Sequence, residues 1–303
     1  GLGSKPLTKE SEMAHTKEDL MPHRWLLASV LLLLSFAASA AGPGAVRKQI
    51  ESSMRVTGTI EVSPDGSVRT YAIDEAEKIP KGLLAFIQQN VDEWKFDPVL
   101  VDGKAVGVRN KMSLRVVAKK LDDDEYSVRL QAASFDPLTV EPGQEVESKS
   151  MTPPRYPEAA ARSGASGTVY VVIKVGRDGS VEDVVAEQVN LRMVASALEM
   201  ERWRTVLGKA AVQQARKWQF VPPVAGEHAD DDYWSVRVPV DFLLSMTSPK
   251  YGEWQAYVPG PRQSYPWAED EAAGNSLEAL SEGGIHLVGN GGLRLLTPLG
   301  EQG

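Results

Sequence analysis

The chain has 303 residues, and its 42% hydrophobic content suits ordinary globular domains. Acidic residues outnumber basic ones by 41 to 33, and the resulting net charge of −8 argues against nucleic-acid binding, which requires a basic surface. Zero Cys excludes disulfides and thiol chemistry but leaves the compartment open.

The first 40 residues predict export. Residues 1–20 are polar and precede Met21, where we expect the native chain to begin, so we expect them to contribute no native structure. Residues 21–40 combine a short positive start, an apolar run at 25–36 and a small-residue cleavage site at 38–40, the three parts of a signal peptide. The run is shorter than the roughly 20 residues of a membrane span. We therefore expect cleavage after Ala40, with an uncleaved single-pass anchor as the alternative.

A cluster of aromatic residues and proline occurs twice in the remaining chain. It reads Trp94-Lys-Phe-Asp-Pro98 in the first instance and Trp218-Gln-Phe-Val-Pro222 in the second. An Asp-Gly turn signal precedes each cluster, at Asp65-Gly66 and at Asp178-Gly179. Repeated motifs in a fixed order indicate an internal duplication.

The spacing around the clusters supports duplication. An alternating apolar segment begins at Met112 and another at Val236, in both cases 18 residues after the Trp of the cluster. Upstream, the Asp of the turn precedes the Trp by 29 residues in the first copy and by 40 in the second. The difference predicts an insertion in the second copy near residues 189–205.

Both copies predict the same elements in the same order. A short helix comes first, from the spacing of Val46, Ile50 and Met54 in one copy and over residues 157–163 in the other. Alternating strands flank the Asp-Gly hairpin turn, a helix leads to the Trp, and a closing strand returns beside the first. The predicted fold class is α+β, with two helix–β–β–helix–β units that each pack a three-stranded antiparallel sheet against helices.

The aromatic clusters are interpreted as core anchors. We expect Trp94 and Trp218 to end the helices, and Phe96 and Phe220 to pack under the sheets. The Pro of each cluster prevents the helix from continuing.

The second copy resembles the TonB C-terminal domain family. The matching residues, in chain order, are 154–160, Gly164, 167–169, Asp178-Gly179, 215–222 and 236–242. The first copy lacks the Tyr-Pro start and keeps only Gly58, the Asp-Gly turn, the aromatic cluster and the last strand, so it resembles a degenerate member of the same family.

The resemblance sets the expected domain boundaries. We expect a degenerate TonB-like domain at 41–120 and a TonB C-terminal-like domain at 153–246. Residues 121–152 are rich in acids and Ser and predict a linker, although Tyr126, Val128 and Leu130 alternate as in a strand. Residues 247–303 predict an irregular Pro/Gly-rich tail; docking of its Trp and Tyr residues on a domain is the alternative.

The resemblance implies a periplasmic binding module whose closing strand is a free edge. Such an edge captures an extended segment of an outer-membrane transporter or other envelope protein by strand addition, and pairing of two edges would give a homodimer. The implied edge residues are Val236, Val238, Pro239, Val240 and Phe242, with Met112, Leu114 and Val116 in the first copy. Pro239 favours an edge position because it has no N–H to donate.

Two other roles stay open: a structural periplasmic protein that binds no transporter, and an inner-membrane energy transducer if the apolar run is retained. The sequence predicts no enzyme, metal or small-molecule cofactor. Beyond residue 40 there are only His228 and His286, without any Cys, which make no metal site. The acidic runs 122–124 and 230–232 lack the alternating spacing of a calcium loop and are interpreted as solvated charges.

Overall fold

The structure is a computed structural model that describes residues 43–122, 125–139, 141–226, 228–244, 250–267, 284–288 and 293–299. The upstream segment and the predicted signal peptide lie outside these residues. Within them, no helix has the length and apolar character needed to cross a membrane.

The described chain is α+β, as predicted, with antiparallel sheets and four α-helices in the described residues. The helices are α1 (Pro43–Arg47), α2 (Lys81–Asp92), α3 (Glu158–Arg162) and α4 (Ala197–Ala215). Strands of the first half are β1 (Glu51–Val62), β2 (Val68–Ile73), β3 (Val99–Val101), β4 (Lys104–Val106), β5 (Val108–Asp122) and β6 (Glu125–Pro137). Later strands are β7 (Glu147–Ser150), β8 (Gly167–Gly176), β9 (Val181–Leu191), β10 (Gln219–Val221), β11 (Tyr233–Phe242), β12 (Gln255–Tyr257) and β13 (His286–Leu287).

The first sheet has the order β12-β1-β5-β6, with β2 also paired to β1. Alternate residues of β1 are buried, because one face of the strand packs into the core. Helix α2 covers that face with Leu83, Ile87 and Val91. Just after the end of α2, Trp94 is 2% exposed and Phe96 is 1% exposed. Both rings contact the ring of Phe135 edge-to-face.

The second sheet has the order β13-β11-β8-β9. Central strand β8 is buried at nine of its ten positions, since both of its faces are covered. The 19-residue helix α4 covers one face; its N-terminus is fixed by a capping box between Ser196 and Glu199. Helix residues on that face are Met200, Trp203, Leu207, Ala211 and Ala215. Trp218 and Phe220 lie in the same core, 4% and 2% exposed.

Each Asp-Gly turn is bonded to the aromatic cluster of its own half. The amide of Phe96 donates to the carbonyl of Gly66 at 2.8 Å, and that of Phe220 donates to Gly179 at 2.9 Å. Both glycines have a positive φ, 79° and 77°. A Cβ on either would collide with the Phe carbonyl oxygen, so the turn requires Gly for space as well as for φ.

The predicted first helix is wrong in its extent. It ends at Arg47, and Met54 lies in β1 rather than on a helix. Val46 and Ile50 pack against the core of the second sheet, not that of the first. The i, i+4 spacing therefore does not mark one helix: Val46 and Ile50 pack in the second core, whereas Met54 packs in the first.

The predicted linker is also wrong over much of its length. Residues 125–137 form β6, which pairs along most of β5 and gives Leu130, Ala133 and Phe135 to the first core. Residues 147–150 form β7, which pairs with β10. The first sheet consequently extends beyond residue 120.

Between the Asp-Gly turn and the aromatic cluster, the elements of the second half are longer than those of the first. Strand β9 has 11 residues against six in β2, and α4 has 19 residues against 12 in α2. The extra length therefore extends existing elements of the second copy.

The described parts of the tail are docked, which differs from the predicted irregular tail. Strand β12 pairs with the start of β1, where Tyr257 donates to Glu51 at 3.1 Å. Further on, Leu293 and Leu295 are buried in the first core, and Leu295 forms a bridge with Phe96. The tail thus completes both sheets with short paired segments.

Candidate partner-binding edge

Strand β11 contains every residue that the sequence assigned to the second edge. Its inward-facing side chains are buried in the second core: Trp234, Val236, Val238, Val240 and Phe242. Between them, Ser235, Arg237, Pro239 and Asp241 alternate onto the opposite face, as the period of a strand requires. The ring of Phe242 packs edge-to-face on Tyr156, which fixes the C-terminal end of the strand.

The two sides of β11 differ in their pairing. On one side, all ten residues pair with β8 in unbroken register, from Tyr233 opposite Gly176 to Phe242 opposite Gly167. On the other side, β13 pairs only with Val236 and Arg237. Among the residues that the structure describes, no strand pairs with that outer side over residues 238–242.

Pro239 occupies a position whose main chain points to the outer side. The carbonyl of Ser235 accepts the amide of Val288, at 2.7 Å, so Ser235 points away from β8. Main-chain groups alternate in direction along an antiparallel strand, and Arg237, Pro239 and Asp241 therefore point outwards as well. Proline at this position leaves the β8 ladder complete and removes one donor from the outer edge.

A buried ion cluster crosses the back of the sheet beside β11. Arg237 donates to both carboxylate oxygens of Glu187 on β9, at 2.8 and 3.1 Å. Both side chains are almost fully buried, at 3% and 1% exposure. Arg262 of the tail donates to the same carboxylate at 2.7 Å. Such charges are tolerated in a core only when they are paired, so the cluster fixes β11, β9 and the tail relative to each other.

Asp241, near the free end of the outer side, has its own partners. Its carboxylate accepts the hydroxyl of Thr168 on β8 and lies 3.3 Å from the guanidinium of Arg192. All three side chains lie on one face of the sheet, where they hold the end of β11 against its neighbour.

The tail covers the C-terminal half of β9, at the opposite edge of the second sheet. Leu191 and Val258 exchange two main-chain hydrogen bonds, of 2.7 and 3.1 Å, and the amide of Gln263 donates to the main-chain carbonyl of Glu187 at 2.7 Å. Arg204 on α4 donates to the carbonyls of Val189, Val258 and Pro259. Burial among these carbonyls lowers the pKa of the Arg204 guanidinium.

The edge expected in the first copy does not exist. Met112, Leu114 and Val116 lie in β5, which pairs with β1 on one side and with β6 on the other. Their partners in β6 include Phe135 and Ala133. The free-edge expectation is wrong here because the chain folds back after β5 and adds a further strand. The alternation of Tyr126, Val128 and Leu130 was the sequence signal for that strand.

The described residues contain no group of three or more His, Asp or Glu side chains that could hold a metal ion. His228 lies 3.0 Å from Asp231 in a loop, and His286 belongs to β13. The two residues are on different elements and take part in separate contacts.

Comparisons with known proteins match the second half of the chain. The family model described as Gram-negative bacterial TonB protein C-terminal matches residues 152–244. Similar curated proteins include "Protein TonB" from two strains of Xanthomonas campestris pv. campestris, each 35% identical over 102 residues. "Protein tonB2" from Pseudomonas aeruginosa is 33% identical over 92 residues. No solved structure matches the chain.

The matches cover only part of each protein. They span 33% of this chain and 39% of the Xanthomonas proteins, and 30% of this chain and 29% of the Pseudomonas protein. The chain thus covers less than two fifths of these relatives. The matched residues include β8, β9, α4 and β11, so the part of the chain that carries this edge is similar to the TonB C-terminal domain family.

Proposed function

We propose that the second domain binds an extended segment of an envelope protein by adding it as a strand to the outer side of β11. The observation that carries this proposal is the unequal pairing of β11. One side is bonded to β8 over ten residues, whereas residues 238–242 have no paired strand on the other side among the described residues. Unpaired N–H and C=O groups on a fixed strand are a template for another chain.

The family indicates the kind of partner. Proteins similar to this domain are named TonB, which supports a role in TonB-dependent transport across the envelope. The proposed ligand is an extended segment of an outer-membrane transporter, and the proposed location of the domain is the periplasm. The role requires binding rather than catalysis.

The outer side of β11 limits how such a segment would be held. Asp241 offers both main-chain groups, whereas Pro239 offers only its carbonyl. A main-chain hydrogen bond contributes about 0.5–1.5 kcal/mol net. The missing donor therefore reduces affinity without preventing capture, and it also protects the edge against non-specific strand pairing.

The test is an NMR titration of the isotope-labelled chain with synthetic peptides from the periplasmic segments of outer-membrane transporters. We expect amide shifts to concentrate on residues 238–242. Pro239→Val restores an outward N–H and is expected to tighten binding by about 2- to 12-fold, the equivalent of one such bond. Arg55→Lys, on the first sheet, serves as the control. Shifts that avoid β11 altogether would refute strand addition at this edge.

A structural role is the second candidate, and the docked tail is the observation that favours it. The tail bonds to Glu51 in the first sheet and to Arg204 in the second half, so it braces the two halves. A periplasmic pull-down with and without residues 152–244 separates the candidates. If the domain is a binding module, partner proteins are recovered with the full chain but not with the chain that lacks residues 152–244. If the chain is purely structural, neither form recovers a partner.

A further inference from the structure

The outer side of β11 already carries one short strand from the same chain. His286 and Leu287 form this strand, with His286 opposite Arg237 and Leu287 opposite Val236. The amide of Val288 continues the ladder by donating to Ser235. The main-chain contacts of this segment, residues 284–288, with the edge involve Ser235, Val236 and Arg237, next to the stretch at 238–242.

The side chains of the segment are held as those of a captured strand would be. Ile285 and Leu287 pack against the core under the sheet. Val288 is 8% exposed and packs on the opposite face with Val172 and Tyr265. Main-chain bonds combined with alternate side-chain contacts are the defining features of strand addition.

We propose that residues 284–288 are a built-in competitor for the partner strand at β11. This inference rests on the proposed function. An incoming segment that pairs along the whole of β11 needs the outward main-chain groups of Ser235 and Arg237, which the tail now uses. The partner that fits is an extended segment with apolar residues at alternate positions, running antiparallel to β11 like the tail itself.

The tail segment is suited to reversible displacement. Strand β13 has only two residues and forms few main-chain bonds, whereas β11 is held independently by ten pairs with β8. A tethered segment acts at an effective concentration of about millimolar. A free peptide at micromolar concentration therefore competes poorly with the tail unless its own contacts are stronger.

The experiment uses the full chain and a peptide with the sequence of residues 283–290, Gly-Gly-Ile-His-Leu-Val-Gly-Asn. The double variant Leu287→Asp/Val288→Pro places a charge against the core and removes the N–H that donates to Ser235. Leu296→Asp puts the same charge elsewhere in the tail, at a half-exposed position, and is the control. Thermal melting verifies that each variant is folded, and fluorescence anisotropy of labelled peptide measures affinity.

We expect the peptide to bind the double variant at least tenfold more tightly than the wild type or the control. Equal affinity for all three would overturn the competitor while leaving strand addition at β11 intact. A folded double variant that binds no tail peptide would also overturn the competitor, since the segment would then have no affinity for the edge; the titration with transporter peptides tests strand addition separately.

A second measurement uses the wild type alone and does not depend on the variant folding. Unlabelled peptide is added to isotope-labelled protein up to millimolar concentration, and the imidazole signals of His286 are followed by NMR. If the peptide displaces the tail segment, the chemical shifts of the His286 imidazole change together with those of the Ser235 and Arg237 amides. Peptide binding at β11 with unchanged His286 signals would show that the tail is no competitor.

Discussion

Trp218 and Phe220 illustrate the contribution of single side chains to this fold. Trp218 is buried, and its indole N–H donates to the carbonyl of Thr152 at 2.8 Å. Replacing either residue by Ala is expected to lower the free energy of unfolding by about 3–5 kcal/mol, the usual cost of emptying a buried aromatic site. Chemical denaturation measures the change.

Trp94→Ala and Phe96→Ala are expected to have similar effects, because both residues pack on Phe135 in the first core. Leu198→Ala on α4 is the control; this side chain is 73% exposed, and its loss should change stability by no more than about 0.5 kcal/mol. Wild-type melting of all four aromatic variants, combined with lost partner binding, would instead assign the clusters to a binding surface.

The ionisation of Asp178 is expected to make the stability of the folded state depend on pH. The hydroxyl and then the amide of Ser180 donate to its carboxylate and lower the pKa below the ordinary value of 3.8. A lowered pKa means that the ionised form stabilises the folded state above 3.8 and that this contribution disappears as the pH falls through the folded pKa. The melting temperatures of wild type and Asp178→Asn should therefore differ at pH 6, and the difference should shrink as the pH falls below 3.8.

Comparing wild type with Asp65→Asn repeats this test at the first Asp-Gly turn. Ser67 lowers the pKa of Asp65 by the same pair of hydrogen bonds, again with the hydroxyl contributing most. A difference between wild type and variant that stayed constant from pH 6 to pH 2 would mean that carboxylate ionisation contributes nothing at these turns.

At the scale of elements, the Asp-Gly hairpin is tied to the strand that follows the long helix. Gly179→Ala should destabilise the second domain more than Gly164→Ala does. Both glycines have positive φ, so both variants incur backbone strain of about 1–3 kcal/mol. Only at position 179 would the new Cβ also collide with the carbonyl of Phe220, since nothing lies within 4 Å at Gly164. Equal melting temperatures would contradict this coupling.

Elements with strong local signals could be predicted from the sequence. The Asp-Gly turns predicted both hairpins, and the helical spacing before each Trp predicted both long helices. The alternation of apolar residues predicted β8 and β11. Each signal lies within the element that it specifies. Strand β11 was predicted to within three residues of its start, and Pro239 was recognised as compatible with an edge.

Elements that depend on distant partners could not be predicted in the same way. The alternation near Val128 indicated a strand, but nothing local states that it pairs with β5 and covers Met112. The tail strands β12 and β13 have three and two residues, too short for any period to be visible. Val46 is buried in the core of the second sheet. Which core it joins depends on tertiary packing and not on any local sequence signal.

At the scale of the whole molecule, the two halves share a plan but differ at their edges. Each half has a hairpin, a long helix, a buried aromatic cluster and a closing strand bonded beside the first strand. We propose that they arose by duplication. Strand β6 then covered the closing strand of the first half, whereas the tail covers only part of β11 in the second. This asymmetry is why we propose partner binding at β11 and not at β5.

The location of the whole molecule determines whether it transmits force or only binds. Cleavage after Ala40 would release a chain beginning at Ala41 into the periplasm, and this is the expected outcome because the apolar run at 25–36 is shorter than a membrane span of about 20 residues. The measurement is the intact mass of protein recovered from a periplasmic extract. Ala38→Arg, which disrupts the small-residue site, is the matched variant and should leave the precursor in the membrane fraction. Wild-type protein found only in that fraction with residues 25–36 intact would establish an anchored chain, and the energy-transducer role would then replace that of a free binding module.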